Sequence, residues 1–389
     1  MSHPFPDIKK NFGFGLMRLP MIGEDVDIEQ TKAMVDAFMA SGFNYFDTAK
    51  PYIKGKSELA VKECLSSRYP RDSFILTNKL SFWCFEKEED IRPMFEGQLQ
   101  SCGVEYFDFY LHHAMSASRH ETYTNLRAYE IVKELKAEGK IRHIGMSFHD
   151  SAEVLDKILT DRPEIEVVQL QINYVDWIDP RVQAEKCYEV CCKHGKPVIV
   201  MEPVKGGSLV NLPENAARLL TDYSQAGYAL RFAASPENVF MVLSGMSDTA
   251  QMEDNIRTMA DFKPFSPAEY EVIDKVRTIY QGQNRVPCTG CRYCVDGCPA
   301  GIPIPDVFAA FNDSKSRKED VAEQGRAAYA AIENKADACI GCGQCETVCP
   351  QKIHVPEEMQ KLAALMETQK TWEEICAERA AIAEAAKKR

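Results

Sequence analysis

At 389 residues the chain exceeds one ordinary core, so one large domain plus one small domain is the expected organisation. Apolar residues at 45% and charged residues at 27% fit a soluble globular chain. A net charge of −12, with no basic run before Lys387, Lys388 and Arg389, argues against nucleic acid or an anionic membrane as a partner.

From about residue 12 to 262, short β-branched and aromatic runs alternate with helical patterns. The runs FGLMRL (14–19), FNYFDTA (43–49), FILTNK (74–79), FDFYLHH (107–113), HIGMSF (143–148), VVQLQIN (167–173), PVIVMEP (197–203) and VFMVLSG (239–245) predict strands. Between them, DIEQTKAMVDAFMASG, SELAVKECLSSRY, EDIRPMFEGQLQSCG, NLRAYEIVKELKAEG, SAEVLDKILTD, RVQAEKCYEVCCKHG and NAARLLTDYSQAGYALRFAAS predict helices. Several stop on Gly and several begin after Ser, Thr or Asp. This alternation implies right-handed βαβ units and a parallel sheet.

Eight units make a closed (β/α)8 TIM barrel over residues 1–280 the best account, with SPAEYEVIDKVRTIY (266–280) as its last helix. The rival is an open doubly wound sheet. It usually carries a G-x-G-x-x-G turn after its first strand, whereas GFGLMR offers only Gly13 and Gly15. QGQNRVP (281–287) reads as a linker. A smaller, mainly α-helical domain follows at 288–355, with two copies of one cysteine motif around an Ala-rich helical stretch (307–335). The tail 356–389 reads as one or two further helices.

The chemistry of such barrels collects at the C-terminal ends of the strands. Strand two ends in Asp47 and runs on to Tyr52, strand three ends in Lys79, and strand four in His112 and His113. Ser147 ends strand five, Gln169 and Gln171 lie on strand six, and strand seven runs into EPVKGG (202–207). An acid, a phenol, a lysine and an imidazole can together protonate a carbonyl oxygen while hydride arrives at the carbon. A free tyrosine has a pKa of about 10, which a nearby ammonium lowers, and a carboxylate can hold that ammonium in place. Any one of these residues alone is more simply an ion pair or a core histidine. Four at successive strand ends favour function.

The stretches GFGLMRLP, FDTAKPY, TNKL, DFYLHH, IGMSF and VQLQINY resemble the aldo-keto reductase superfamily. The resemblance implies Tyr52 as general acid, Asp47 and Lys79 as its tuning pair, and His113 as the orienting imidazole. His113 is preferred to His112 because the family's histidine is the sixth residue counted from the Asp that here is Asp108. The resemblance further implies NAD(H) or NADP(H) lying across the rim against Gly15, Met17, Ser147, Gln169, Met201, the backbone of Lys205–Gly207, Ser244 and Gly245, with Asp254 and Asn255 at the adenine end. Phe148 stands where many members have Asn, and Met201 where a stacking Tyr is common. Gly245 and Gln251 stand where NADPH-dependent members offer Lys and Arg to the 2′-phosphate. Without such cations that phosphate loses charge-assisted bonds worth about 1.5–3 kcal/mol each, so no strong NADPH preference is expected. Phe82, Trp83 and Phe85 suit a flat or apolar carbonyl substrate, or simply pack their loop.

CTGCRYCVDGCP (288–299) and CIGCGQCETVCP (339–350) both follow C-x2-C-x2-C-x3-C-P. Zinc sites typically use two Cys-x-x-Cys pairs separated by a longer loop, whereas this run is the bacterial iron–sulfur signature, whose fourth Cys serves the other cluster. One [4Fe–4S] cluster is therefore assigned to Cys288, Cys291, Cys294 and Cys349, and a second to Cys339, Cys342, Cys345 and Cys298. Gly290, Gly297, Gly341 and Gly343 would let backbone N–H groups approach the sulfurs. The region resembles two-cluster ferredoxins of the helical kind, and the whole chain resembles the iron–sulfur branch of the aldo-keto reductases.

The other seven cysteines are scattered, and Cys187, Cys191 and Cys192 on one helix are expected to be small core residues rather than ligands. The N-terminus lacks a signal-peptide layout and no apolar run approaches the roughly 18 residues of a membrane helix. A reducing cytoplasm is therefore expected. The intact tetrad argues against a non-enzymatic electron-carrier or sensor module on a degenerate barrel, and two further functions compete. In one, a small carbonyl or alcohol substrate reacts with nicotinamide while the clusters are structural or regulatory. In the other, the clusters wire the rim to a ferredoxin or other redox protein, which needs a one-to-two-electron converter such as flavin. No flavin signature is visible, although barrels can bind flavin phosphates at the strand seven–eight loops.

Overall fold

Eight parallel strands close into a barrel: β1 (Phe12–Gly15), β2 (Tyr45–Asp47), β3 (Ile75–Leu80), β4 (Phe107–Met115), β5 (Ile141–Phe148), β6 (Val167–Gln171), β7 (Val198–Met201) and β8 (Val239–Gly245). Each pairs with its sequence neighbour, and β1 pairs with both β2 and β8. The computed structural model describes residues 4–283, 285–315 and 319–366. The rest of the expected C-terminal tail, 367–389, lies outside the described residues.

Strand alternation explains the barrel interior, because every second side chain points inward. The lower inward positions are apolar: Tyr45, Ile75, Phe109, Leu111, Val167 and Ile199 share one buried cluster. One or two steps further along the same strands come Asp47, Lys79, His113, Ser147 and Gln169, all buried. Gly145 is the small member of the inner set, since a Cβ there would overlap Leu111 and Val167. At the opposite end of the strands, Phe5 packs 5.0 Å from both Phe109 and Phe240, and Ile8 is buried in the same cluster.

Several local expectations need correction. The first strand begins and ends earlier than 14–19, because Leu16–Arg18 turn into a 3-10 segment. The helix read across NAARLLTDYSQAGYALRFAAS is two, Glu214–Ala217 and Gln225–Ala234, separated where Ser224 caps the second by accepting from Gly227 N–H. The helix Ala117–Asn125 carries no apolar stripe to announce it and buries only Tyr123. Of the three clustered cysteines, Cys187 and Cys191 are buried in the core while Cys192 is exposed.

Contacts divide the chain into Met1–Gly282 and Gln283–Arg389. In the second unit, helices Ile304–Ser314, Glu319–Ala331 and Val355–Met366 build a separate core around Val307, Phe308, Phe311, Tyr329, Met359 and Leu362. The first two helices meet closely at Gly325, where a Cβ would overlap the Ser314 backbone. No helix among the described residues is long and apolar enough to cross a membrane.

Candidate active site and cysteine hollows

The inward polar layer is tied together across the barrel mouth. Lys79 Nζ donates to Asp47 Oδ1 at 2.6 Å and to the Thr48 carbonyl at 2.9 Å, and Gln169 Nε2 reaches Asp47 Oδ2 from the far side at 3.4 Å. Burial pushes the Asp47 carboxyl up and the Lys79 ammonium down, and their mutual contact opposes both shifts. The same ammonium lies 4.8 Å from the centroid of the Tyr52 ring. Tyr52 is half-buried and opens a turn in which Ile53 and Lys54 both have left-handed φ, 50° and 54°. That conformation is costly for a β-branched residue, and such strain tends to gather at functional sites.

His113 completes the group. Its ring stands edge-on to Tyr52, centroids 6.0 Å apart, and its Nδ1 shares a 2.6 Å hydrogen bond with buried Ser81 Oγ. A bulge follows it: the β4–β5 register shifts between His112 and Met115, and Ala114 has φ 55°. Burial, then the Lys79, His149 and Arg119 charges, hold the imidazole well below its usual range, so it is neutral at pH 7. His112 points to the other face, between Tyr123 and Tyr129. Ser81, two residues beyond Lys79, escaped sequence reading because its partner comes from another strand.

The residues expected around a nicotinamide fall into two sets. Ser147 Oγ accepts from Ala114 N–H at 2.7 Å, which leaves its own proton uncommitted by that contact, and Gln169 Oε1 remains an acceptor. The two residues are paired in register on neighbouring strands. Gly15, Met17, Met201 and Gly245 are half-buried at the rim. The loop after β7 is turned on itself. Lys205 N–H bonds the Glu202 carbonyl, Gly206 N–H bonds the Glu202 carboxylate, and Gly207 N–H bonds Val204. Lys205 Nζ is paired with buried Asp176. After β8, Asn255 bonds Ser244 Oγ at 2.9 Å, while Asp254 accepts from Ser224 and Arg257. Arg18 was not anticipated: its stem lies against Gly245 and its charge acts on Glu202.

On the other side of His113, Trp83 stands edge-on at 5.3 Å, with Phe82 4.3 Å from Trp83. Phe85 turns inward instead, packing on Tyr123 at 5.7 Å. The Arg119 guanidinium covers this pair, 4.4 Å from the Phe82 centroid and 5.2 Å from that of Trp83.

In the second unit the eight motif cysteines line two hollows. Cys288, Cys291, Cys294 and Cys349 border one, and Cys298, Cys339, Cys342 and Cys345 border the other. Each hollow therefore takes three thiols from one motif and one from the other. Gly290, Gly341 and Gly343 are left-handed, and Gly290 N–H bonds Cys288 Sγ at 3.4 Å. Burial pushes the Cys294 thiol up to about 12 and the Cys345 thiol up to about 11, so bound metal is what would hold them as thiolates. Among the described residues no three His, Cys, Asp or Glu are gathered as for a single ion. The four thiols around each hollow suit a larger polynuclear group.

A parallel barrel with an acid–lysine pair, a phenol and an imidazole at its mouth defines a known class. The aldo/keto reductase family matches residues 11–220, and the chain belongs to it. A 4Fe-4S dicluster domain matches residues 287–354. The NADH-specific methylglyoxal reductase of Escherichia coli is 28% identical over 185 residues, 43% of this chain and 54% of that protein, so the chain spans about half of that relative's length. Among solved structures, an aldo-keto reductase from Bacillus halodurans in its holo form aligns with a TM-score of 0.59 at 24% identity, covering 71% of this chain and 95% of that one. One from Klebsiella pneumoniae in complex with NADPH aligns with a TM-score of 0.57 at 18% identity, covering 69% and 95%. At these identities the two structures speak for the fold.

Proposed function

We propose that the chain is an oxidoreductase that interconverts a small carbonyl compound and its alcohol, with Tyr52 as proton donor. The observation that carries this reading is the Lys79 ammonium, held by Asp47 at 2.6 Å and lying 4.8 Å from the Tyr52 ring. A bound reduced nicotinamide supplies the hydride that reaches the carbonyl carbon. Tyr52 gives its phenolic proton to the carbonyl oxygen, the C=O becomes CH–OH, and the phenolate left behind is stabilised by Lys79 until water reprotonates it. The Ser81 hydroxyl, donating to Nδ1, leaves His113 with its proton on Nε2, aimed to polarise the carbonyl oxygen. Ser147 and Gln169 orient the carboxamide. One relative is named for NADH and a structural neighbour holds NADPH, which supports a nicotinamide of either kind.

The test is carbonyl-dependent oxidation of NADH or NADPH by anaerobically purified protein. Ser81→Ala should lower kcat/KM at least about tenfold and move its acid limb upward, as a hydrated imidazole returns toward its free pKa of about 6.5. Failure to oxidise either nucleotide across small aldehydes and ketones would count against the reading.

For the second unit, the two sets of four thiols support two [4Fe–4S] clusters with crossed fourth ligands. When bound, such clusters supply one-electron transfer. Cys342 is exposed and Ile340 beside it is 70% exposed, which favours electron exchange with a redox protein such as a ferredoxin over a purely structural role. Feeding the barrel site this way would require a two-electron converter such as a flavin.

A further inference from the structure

We infer that Glu58 is a positioning residue for the proton donor: through the Asn78 and Gln98 side chains it fixes the backbone of Lys79, and so the distance from that ammonium to Tyr52. This rests on the reading of Tyr52 as proton donor and adds a residue behind the strand to it. Glu58 lies on Lys56–Val61, the short helix that follows the Tyr52 turn, and its side chain is fully buried.

The way β2 leaves the sheet creates the need. The paired register of β2 with β3 runs to Asp47 opposite Thr77, and the Thr48 N–H closes it on the Thr77 carbonyl at 2.9 Å. Residues two apart on a strand direct their N–H and C=O to the same edge, so Lys79 offers its peptide groups just beyond that point. Side chains take them there. Asn78 Oδ1 accepts from Lys79 N–H at 2.8 Å, and Gln98 Nε2, from the helix Glu88–Cys102, donates to the Lys79 carbonyl at 3.1 Å.

Glu58 holds both amides the right way round. Its Oε1 accepts from Asn78 Nδ2 at 2.9 Å and from Gln98 Nε2 at 3.1 Å, while the Tyr110 hydroxyl donates to Gln98 Oε1 at 2.6 Å. An acceptor at this point keeps the two amide nitrogens turned toward it and leaves Asn78 Oδ1 for Lys79. Glu58 Oε2 faces Lys50 Nζ at 3.6 Å, and Lys50 stands two residues before Tyr52. One carboxylate therefore ties the segment that carries the phenol to the strand that carries the ammonium. Burial pushes the carboxyl up, against the hydrogen bonds from Asn78 and Gln98 and the Lys50 charge. A buried acid held by two neutral amides and one long ion pair costs stability, so packing alone does not account for it.

The full-length protein, purified without oxygen, is made with 3-fluorotyrosine at position 52 only, and ionisation of that ring is followed by fluorine NMR as pH rises. The titratable groups about the ring are Lys79 from β3, His113 from β4 and, behind Lys79, Asp47 from β2, with Lys50 two residues upstream. Glu58→Leu should raise the midpoint by about half a pH unit or more, because a displaced ammonium stabilises phenolate less. Deleting the Glu58 charge by itself would lower the midpoint, so the sign separates positioning from direct electrostatics. Glu58→Gln keeps an acceptor for both amides and should not raise it. Gln98→Met removes the donor to the Lys79 carbonyl and should act as Glu58→Leu does, which keeps the test decisive if the latter fails to fold. A midpoint that falls or stays in these variants, with only the melting temperature lowered, would overturn the inference. So would an equal rise in Glu58→Gln. Carbonyl-dependent oxidation of NADH or NADPH is then measured on the same proteins. A raised midpoint in the variants without turnover in the unaltered protein leaves the positioning role standing and removes the reductase reading, whereas turnover with an unmoved midpoint does the reverse.

Discussion

Tyr52→Phe should lower kcat for carbonyl reduction by about 100- to 10,000-fold while the affinity for nicotinamide changes little. The substitution removes one oxygen from a half-buried ring and keeps its contacts with Lys79 and His113. The loss therefore reports the proton transfer rather than the packing. Lys79→Met should be at least as damaging and should cost stability too, because it leaves Asp47 as a buried carboxylate that has lost its ammonium and keeps the Gln169 contact at 3.4 Å. Steady-state kinetics on both variants, with nicotinamide binding followed by fluorescence, separate the two effects. Full activity in Tyr52→Phe would move the proton donor elsewhere on the rim.

The second large effect concerns the thiols. Cys298→Ser should remove about four of about eight irons, and the cluster lost should be the one bordered by the other motif, Cys339, Cys342 and Cys345. Paired substitutions make the crossing visible. Cys298→Ser with Cys342→Ser strikes one hollow twice and should retain about four irons, whereas Cys298→Ser with Cys291→Ser strikes both and should retain almost none. Iron and sulfide analysis of anaerobically purified protein reads the difference. The opposite ranking of the two double variants would mean that each motif holds its own metal.

The barrel was legible because strand alternation is a local property. A run such as FDFYLHH shows directly that Phe109, Leu111 and His113 share one face, and the structure puts the first two in the inner apolar cluster. The eight motif cysteines were likewise legible as one spaced signature. Partnerships between strands left no local trace. Nothing near Ser81 announces that its hydroxyl will meet His113, and nothing in SASRHETYTN announces a helix whose Arg119 covers Phe82 and Trp83. The left-handed turns at Ile53, Lys54 and Ala114 were invisible for a different reason. Their residue types disfavour that conformation, so only surrounding contacts can impose it. In the loop after β7 the Glu202 carboxylate takes the Gly206 N–H, a contact that likewise left no local trace.

The reading of Tyr52, Lys79, Asp47 and His113 as one proton-and-hydride site is tested most directly by isotope transfer. Anaerobically purified protein is given NADH or NADPH deuterated at the transferable position of C4, together with an aldehyde that supports nucleotide oxidation, and the product alcohol is analysed by mass spectrometry. One deuterium per alcohol at the former carbonyl carbon is the predicted result. Nucleotide oxidation that reduces the clusters but yields alcohol free of deuterium, or no alcohol, would contradict it.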